Sequence, residues 1–232
     1  MQTEKHSTGL GVYIKDMVYG ANDGIITTFA VVAGAAGADL SPAVIIILGI
    51  SNLLADGFSM AASNYLGTTS EHSLFKEEEK REIDEVENLP DSEKEEVREV
   101  FLNKGFSDVD TSQLVNLISK NKNFWVDFMM RYELELSMPS VGGEWKAATM
   151  TFLTFVFAGT LPLLPFIVLP VSPAQTLNAS VIFTAVSLFL VGSARHFITR
   201  KNWFWSGLEM LFVGGIAAVV AYWVGYLVSN LI

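Results

Sequence analysis

The sequence predicts an all-α polytopic membrane protein with five transmembrane helices and a helical, acidic cytoplasmic insert between helices two and three. Three observations carry this prediction. Half of the 232 residues are hydrophobic, and long runs bear no charge, the pattern of bilayer-spanning segments. The net charge of −10 is confined to one stretch: Glu71 to Glu144 holds 19 acids against 9 bases, and the remainder balances at 6 and 6. A five-span threading puts all 15 Lys and Arg on one side of the membrane. The positive-inside rule makes that side cytoplasmic.

The spans read as Met17 to Ala38, Ala43 to Leu66, Ala147 to Leu169, Leu177 to Phe197 and Ser206 to Val228. Short turns, Asp39-Leu-Ser-Pro42 and Pro170-Val-Ser-Pro173, join the first pair and the third to the fourth. Residues 1–69 thus hold the N-terminus and two spans, 70–144 the insert, and 145–232 the last three spans. The N-terminus and insert fall inside and the C-terminus outside. Met1 to Gly11 is polar, so a cleaved signal peptide is not expected. Within the insert, Ser70 to Val86 continues the second span as helix. Pro90-Asp-Ser-Glu93 starts another, with Asp91 or Ser92 as cap, and Gly105 ends it. An amphipathic stretch, Asp110 to Lys120, precedes a last helix from Asn123 to Leu136, which Pro139 and Gly142-Gly143 terminate.

Two spans carry polar faces. In the second, Asn52, Asp56, Ser59, Met60, Ser63 and Asn64 fall within an arc of roughly 140° on a helix. A carboxylate in hydrocarbon costs several kcal/mol unless it is paired or faces a water-filled path. The stripe therefore reads as the wall of an ion route, with a buried, hydrogen-bonded structural acid as the plainer alternative for Asp56. The Met60 thioether, one turn from Asp56, favours a transition metal over Mg²⁺ or Ca²⁺. In the first span, Asp16, Gly20, Asp23, Thr27 and Gly34 share a narrow arc of roughly 60°. Asp23 reads either as a route residue or as a helix cap within Asn22-Asp23-Gly24. Gly34, Gly37, Gly49 and Gly57 permit close helix contact, and Pro162 and Pro165 can bend the third span.

The insert pairs Glu82 with Glu85 and Glu93 with Glu96, each pair three apart on one helix face. Like charges at that spacing oppose an isolated helix by a few tenths of a kcal/mol. Taken alone, such faces are more simply solvated than bridged by cations. The run Phe128-Met129-Met130-Arg131-Tyr132-Glu133 shifts the balance by setting two thioethers within a turn of a carboxylate. The acidic insert also repels nucleic acid. The absence of cysteine excludes disulfides and thiolate metal sites.

Asp23-Gly-Ile-Ile-Thr-Thr-Phe-Ala, Asp56-Gly-Phe-Ser-Met60-Ala, Leu89-Pro-Asp-Ser-Glu and Trp125-Val-Asp-Phe-Met-Met-Arg-Tyr-Glu-Leu together resemble the vacuolar iron transporter family. That family is related to the yeast Ca²⁺-sensitive cross-complementer proteins. The resemblance covers nearly the whole chain and matches members with a cytoplasmic metal-binding domain. It implies export of Fe²⁺, and also Mn²⁺, from the cytosol in exchange for protons by a homodimer with its ion route at the dimer interface. It implies transport-pathway roles for Asp23 and Met60, with Asn52 where some relatives carry an acid. Glu82, Glu85, Glu93, Glu96, Met129 and Glu133 match metal ligands of the insert, and Met130 adjoins them.

The partners expected are divalent metal ions, protons, the bilayer and a second copy of the chain, with metal as substrate and no permanently bound cofactor. Competing readings are weaker. A membrane di-iron oxidase needs Glu-x-x-His pairs, but Thr3, Thr69 and Ser193 precede His6, His72 and His196 by three. A Ca²⁺-responsive sensor lacks an Asp-x-Asp-x-Asp-Gly loop. Small size and the lack of an organellar signal favour a bacterial plasma membrane over a vacuole.

Overall fold

A computed structural model describes residues 13–137, 143–169, 172–196 and 200–231, and no strand occurs among them. Two compact units result, one from residues up to Tyr65 together with Glu144 onwards, the other from Leu66 to Gly143. Pro139, Gly142, Pro170 and Phe197, used above to place helix ends, lie outside the described residues.

The first unit contains α1 (Ile14–Gly37), the first part of α2 (Pro42–Asn88), α6 (Gly143–Thr160), α7 (Leu164–Val168), α8 (Pro173–Ala194) and α9 (Trp203–Ser229). Among the described residues, four helical segments are long and apolar enough to cross a membrane: α2, Gly143–Val168, Ala174–Ala194 and α9. The fifth expected span, α1, is 24 residues long, but Asp16, Asn22, Asp23 and its many glycines dilute its apolar character. Its apolar residues are instead concentrated on one buried face, where Ile25 and Val32 are fully inaccessible.

Glycine lets α1 lie backbone against backbone on two neighbours. A Cβ on Gly24 would come within 2.4 Å of the Phe155 carbonyl oxygen of α6, and one on Gly37 within 2.3 Å of that of Tyr222 on α9. From the other side, a Cβ on Gly225 would meet the Gly34 carbonyl oxygen at 2.0 Å. The close contact that Gly34 and Gly37 permit is therefore made with α9 of the same chain. On α2, Gly49 receives the Leu163 side chain and Gly57 the rings of Phe152 and Phe155.

The third span is interrupted where its prolines stand. The α-helix gives way at Thr160 to a 3₁₀ turn, Leu161–Leu163, before α7 resumes. Proline has no N–H and collides with the preceding turn. A buried hydroxyl, Ser180 Oγ on α8, donates to the Pro162 carbonyl at 2.6 Å. The start of α8 is held by a capping box between Ser172 and Gln175.

The second unit comprises the remainder of α2 with α3 (Pro90–Asn103), α4 (Asp108–Ile118) and α5 (Lys122–Tyr132). Its core joins Phe75, Val86, Val97, Trp125, Phe128 and Met129. Leu89 is the N-cap of α3, with Pro90 at the first helical position, so Asp91 and Ser92 lie inside the first turn rather than capping it. Gly105, at φ 88°, turns the chain after α3 as expected. Ser107 and Asn121 cap α4 and α5 by accepting from the Asp110 and Phe124 backbone N–H groups, each at 3.2 Å. α5 ends at Tyr132, four residues short of the sequence expectation.

Candidate functional site

In the first unit four residues of the polar stripe of α2 are half-buried along one edge of the helix, whereas Ser59 and Ser63 are exposed. Asn52, Asp56, Met60 and Asn64, spaced four apart, lie beside the buried line Ile45, Gly49, Leu53 and Gly57. The next face round, with Leu54 and Phe58, is exposed, Phe58 at 71%. Asn52 Nδ2 donates to Asp56 Oδ2 at 3.0 Å, one helical turn away. Asp23 belongs to the middle of α1 and so is no cap. Its carboxylate lies close enough to Asp56 for the two charges to interact. Thr27 Oγ1 donates to the Asp23 carbonyl at 2.8 Å.

One tie was not foreseen. Asn64 Nδ2 donates to Asp16 Oδ1 at 2.9 Å and to Thr151 Oγ1 at 2.7 Å, joining α1, α2 and α6. Thr151 is buried and its hydroxyl donates in turn to the Ala147 carbonyl at 3.0 Å. The four-residue repeat ending at Asn64 was the available signal; its partners on other helices are not deducible from spacing.

The second unit brings five carboxyl groups into one electrostatic neighbourhood: Glu82 and Glu85 of α2, Glu93 and Glu96 of α3, and Glu133 at the end of α5. Glu82 and Glu93 are buried, at 4% and 3% exposure. Their Oε2 atoms are inaccessible and have no hydrogen-bond partner. Desolvation first, then the charges of Glu133 and Glu93, pushes Glu82 up to about 7. Desolvation, then Glu96 and Glu85, does the same for Glu93. Glu133 also reaches about 7, by desolvation and by the charge of Glu96, to which it is hydrogen-bonded. A bond between two carboxyl groups requires a proton on one of them. Glu133 remains open to solvent, so its shift is the most screened of the three.

Among the described residues, no three or more His, Asp or Glu side chains are drawn into a finished metal shell. Met129 and Met130 are fully buried in the core of the unit. Met129 lies one turn before Glu133, whose backbone N–H it accepts at 3.0 Å. Arg81 adjoins this group, its Nε 3.2 Å from Glu85 Oε1 and its Nη1 3.9 Å from Glu78.

A family model described as the VIT family matches residues 14–226. The chain is 34% identical over 98% of its length to vacuolar iron transporter 1 of Arabidopsis thaliana, covering 90% of that relative. It is 36% identical to the vacuolar iron transporter of Toxoplasma gondii, over 97% of this chain and 78% of that one. The Plasmodium falciparum vacuolar iron transporter is 34% identical, over 94% and 82% respectively.

Proposed function

Because this chain belongs to the VIT family, we propose that it moves Fe²⁺, and also Mn²⁺, out of the cytosol in exchange for protons. It is a membrane metal transporter and not an enzyme, and metal ions are its substrates rather than a resident cofactor. The observation that carries the finer reading is the α2 edge, where Asn52, Asp56 and Met60 are half-buried with Asp23 of α1 near Asp56.

The chemistry follows from the residues. The acidic unit gathers the cation, and Glu82, Glu85, Glu93, Glu96 and Glu133 take it in place of their protons, with Met129 and Met130 supplying soft donors beside them. Asp56 and Met60 then offer one hard and one soft donor a turn apart, and Asp23 a second carboxylate. Asn52 orients the Asp56 carboxylate without adding charge, so affinity stays low enough for release. Protons arriving from the far side compete for the same oxygens and displace the metal.

In this reading α1 is a fifth span despite its polar content. The positive-inside rule keeps the N-terminus and the acidic unit cytoplasmic and the C-terminus outside. A two-fold pair of chains shields the half-buried α2 edge from lipid. The exposed α2 face beside that edge supplies the contact, since Gly34 and Gly37 are already covered by α9. The relatives named above are vacuolar by name and eukaryotic, which gives no support to a bacterial plasma membrane.

Proteoliposomes holding the purified full-length chain test the proposal. Fe²⁺ or Mn²⁺ flux that is driven by a proton gradient, with counterflow of protons, is the expected result. Metal binding without flux would favour the sensor reading and overturn transport.

A further inference from the structure

Between α1, α8 and α9 the first unit leaves an apolar groove of about 540 Å³ that the transport reading does not use. We propose that it holds one acyl chain of a phospholipid from the leaflet nearer the C-terminus, an inference that rests on the first unit being embedded in a bilayer. The groove opens at Leu177 of α8 and at Tyr222 and Trp223 of α9, and runs inward to Leu188 and Leu211. None of the described residues that line it is charged. The one hydroxyl between its ends, Thr184 Oγ1, is inaccessible, so the walls present hydrocarbon.

Length and position select the occupant. Along α9 the groove extends from Leu211 to Trp223, about 18 Å at the helical rise per residue, close to half of a hydrocarbon core roughly 30 Å thick. Trp223 stands about 30 Å along the same helix from Trp203, so α9 carries aromatic rings at the spacing of the two membrane interfaces. The open end of the groove thus lies near headgroup depth and its inner end near the midplane. Small residues, Ala33, Ala185, Gly215 and Ala218, form the walls where a chain would run. Gly214 is required by packing, since a Cβ there would meet Leu188 Cδ1 at 2.3 Å, but one on Gly215 would meet nothing within 4 Å. Glycine weakens a helix relative to alanine, and no contact among the described residues requires it at Gly215. Water does not fill an apolar recess, and an empty one forfeits the dispersion contacts of its walls. The groove is continuous with the exposed apolar residues Ile216, Val219 and Val220 of α9, so bilayer hydrocarbon is the material that can enter it.

The test is native mass spectrometry of the full-length chain in mild detergent, titrated separately with dipalmitoyl and dioctanoyl phosphatidylcholine and with dipalmitoyl phosphatidylglycerol. One dipalmitoyl lipid should be retained per chain with either headgroup. The short-chain lipid should bind about tenfold more weakly, a difference of roughly 1.4 kcal/mol. Gly215→Leu, which fills open space, should weaken retention of the long-chain lipid by a similar factor, whereas Gly215→Ala should keep it. Val219→Phe, on an exposed residue of the groove, gives the same reading should Gly215→Leu fail to fold. Equal retention of the two chain lengths, a requirement for one headgroup, or retention unchanged by both bulky variants would each overturn the proposal. So would Gly215→Leu splitting an oligomer into single chains, which would assign the groove to a second copy of the chain. Metal flux of the same variants in phosphatidylcholine vesicles reads transport separately: lipid lost with flux kept supports the groove, and flux absent with lipid kept strikes only the transport reading.

Discussion

The two units handle buried carboxylates in opposite ways. In the membrane unit, two half-buried acids have neutral amide partners: Asn52 bonds Asp56 and Asn64 bonds Asp16. In the acidic unit, Glu82 and Glu93 are buried with an oxygen unpartnered and further acids around them. An unsatisfied buried acceptor costs about 1–3 kcal/mol, and more when charged. Satisfied acids suit a path an ion must leave, and crowded unsatisfied ones suit a place where an ion is captured. Substitutions that break one arrangement should therefore not look like substitutions that break the other.

The largest contrast is expected at Asp56. Asp56→Asn leaves a group Asn52 can still bond but removes the charge, and should lower proton-driven metal flux by about tenfold or more, a loss of at least 1.4 kcal/mol. Flux in proteoliposomes, with membrane insertion checked by yield, measures it; normal flux would make the α2 stripe structural. Glu93→Gln should act differently, raising the half-saturating metal concentration by roughly tenfold while leaving the maximal rate nearly unchanged. A fall in maximal rate alone would erase the distinction between capture and path.

Proton linkage sharpens the same comparison. Glu82, Glu93 and Glu133 hold protons up to about pH 7 when folded, against 4.5 for an ordinary glutamate. Between those values the folded state binds more protons than the unfolded one. Their contribution to metal-free stability is therefore fully present below about pH 4.5 and lost as pH rises through about 7. Each net 1 kcal/mol lost lowers the melting temperature of a domain this size by roughly 4–8 °C. Fluorescence of Trp125, buried in that core, follows the transition once the other tryptophans are replaced by phenylalanine. Mn²⁺ should restore the loss at pH 7.5, and a melt indifferent to pH and metal would refute the coupling.

The smallest effect concerns Arg81, whose guanidinium lies against Glu85. A largely exposed ion pair is worth about 0–1 kcal/mol. Arg81→Gln should thus tighten metal binding only a few-fold, most visibly at low salt. Calorimetry at two ionic strengths would detect it, and weaker binding would make Arg81 a support for the site rather than a competitor.

Much of this was legible in the chain. Apolar runs gave the long helices, and the three-residue spacing of Glu82 with Glu85 and Glu93 with Glu96 identified pairs that do share a neighbourhood. Local chemistry is less legible: Ser107 and Asn121 cap α4 and α5, but both residue types are also ordinary in turns. Two failures have a common cause. Gly34 and Gly37 announced close packing without saying which helix would come close, and Asn64 announced polarity without naming Asp16 or Thr151. Periodicity reports which face a residue occupies, whereas the partner depends on tertiary packing, which spacing along one helix does not encode.

The glycine contacts of α1 bear on which part of the bundle can act as its moving member. α1 is clamped by main chain on two sides, through Gly24 to α6 and through Gly37 to α9, with no side chain between to act as a bearing. Interfaces of that kind have no slack, because any slide drives carbonyl oxygens into α-carbons. The contacts made by Gly49 and Gly57 of α2 are instead with Leu163, Phe152 and Phe155 side chains, which can change rotamer. Of the two helices, α1 is therefore the one held by main chain, and α2 the one whose glycines meet side chains that can repack.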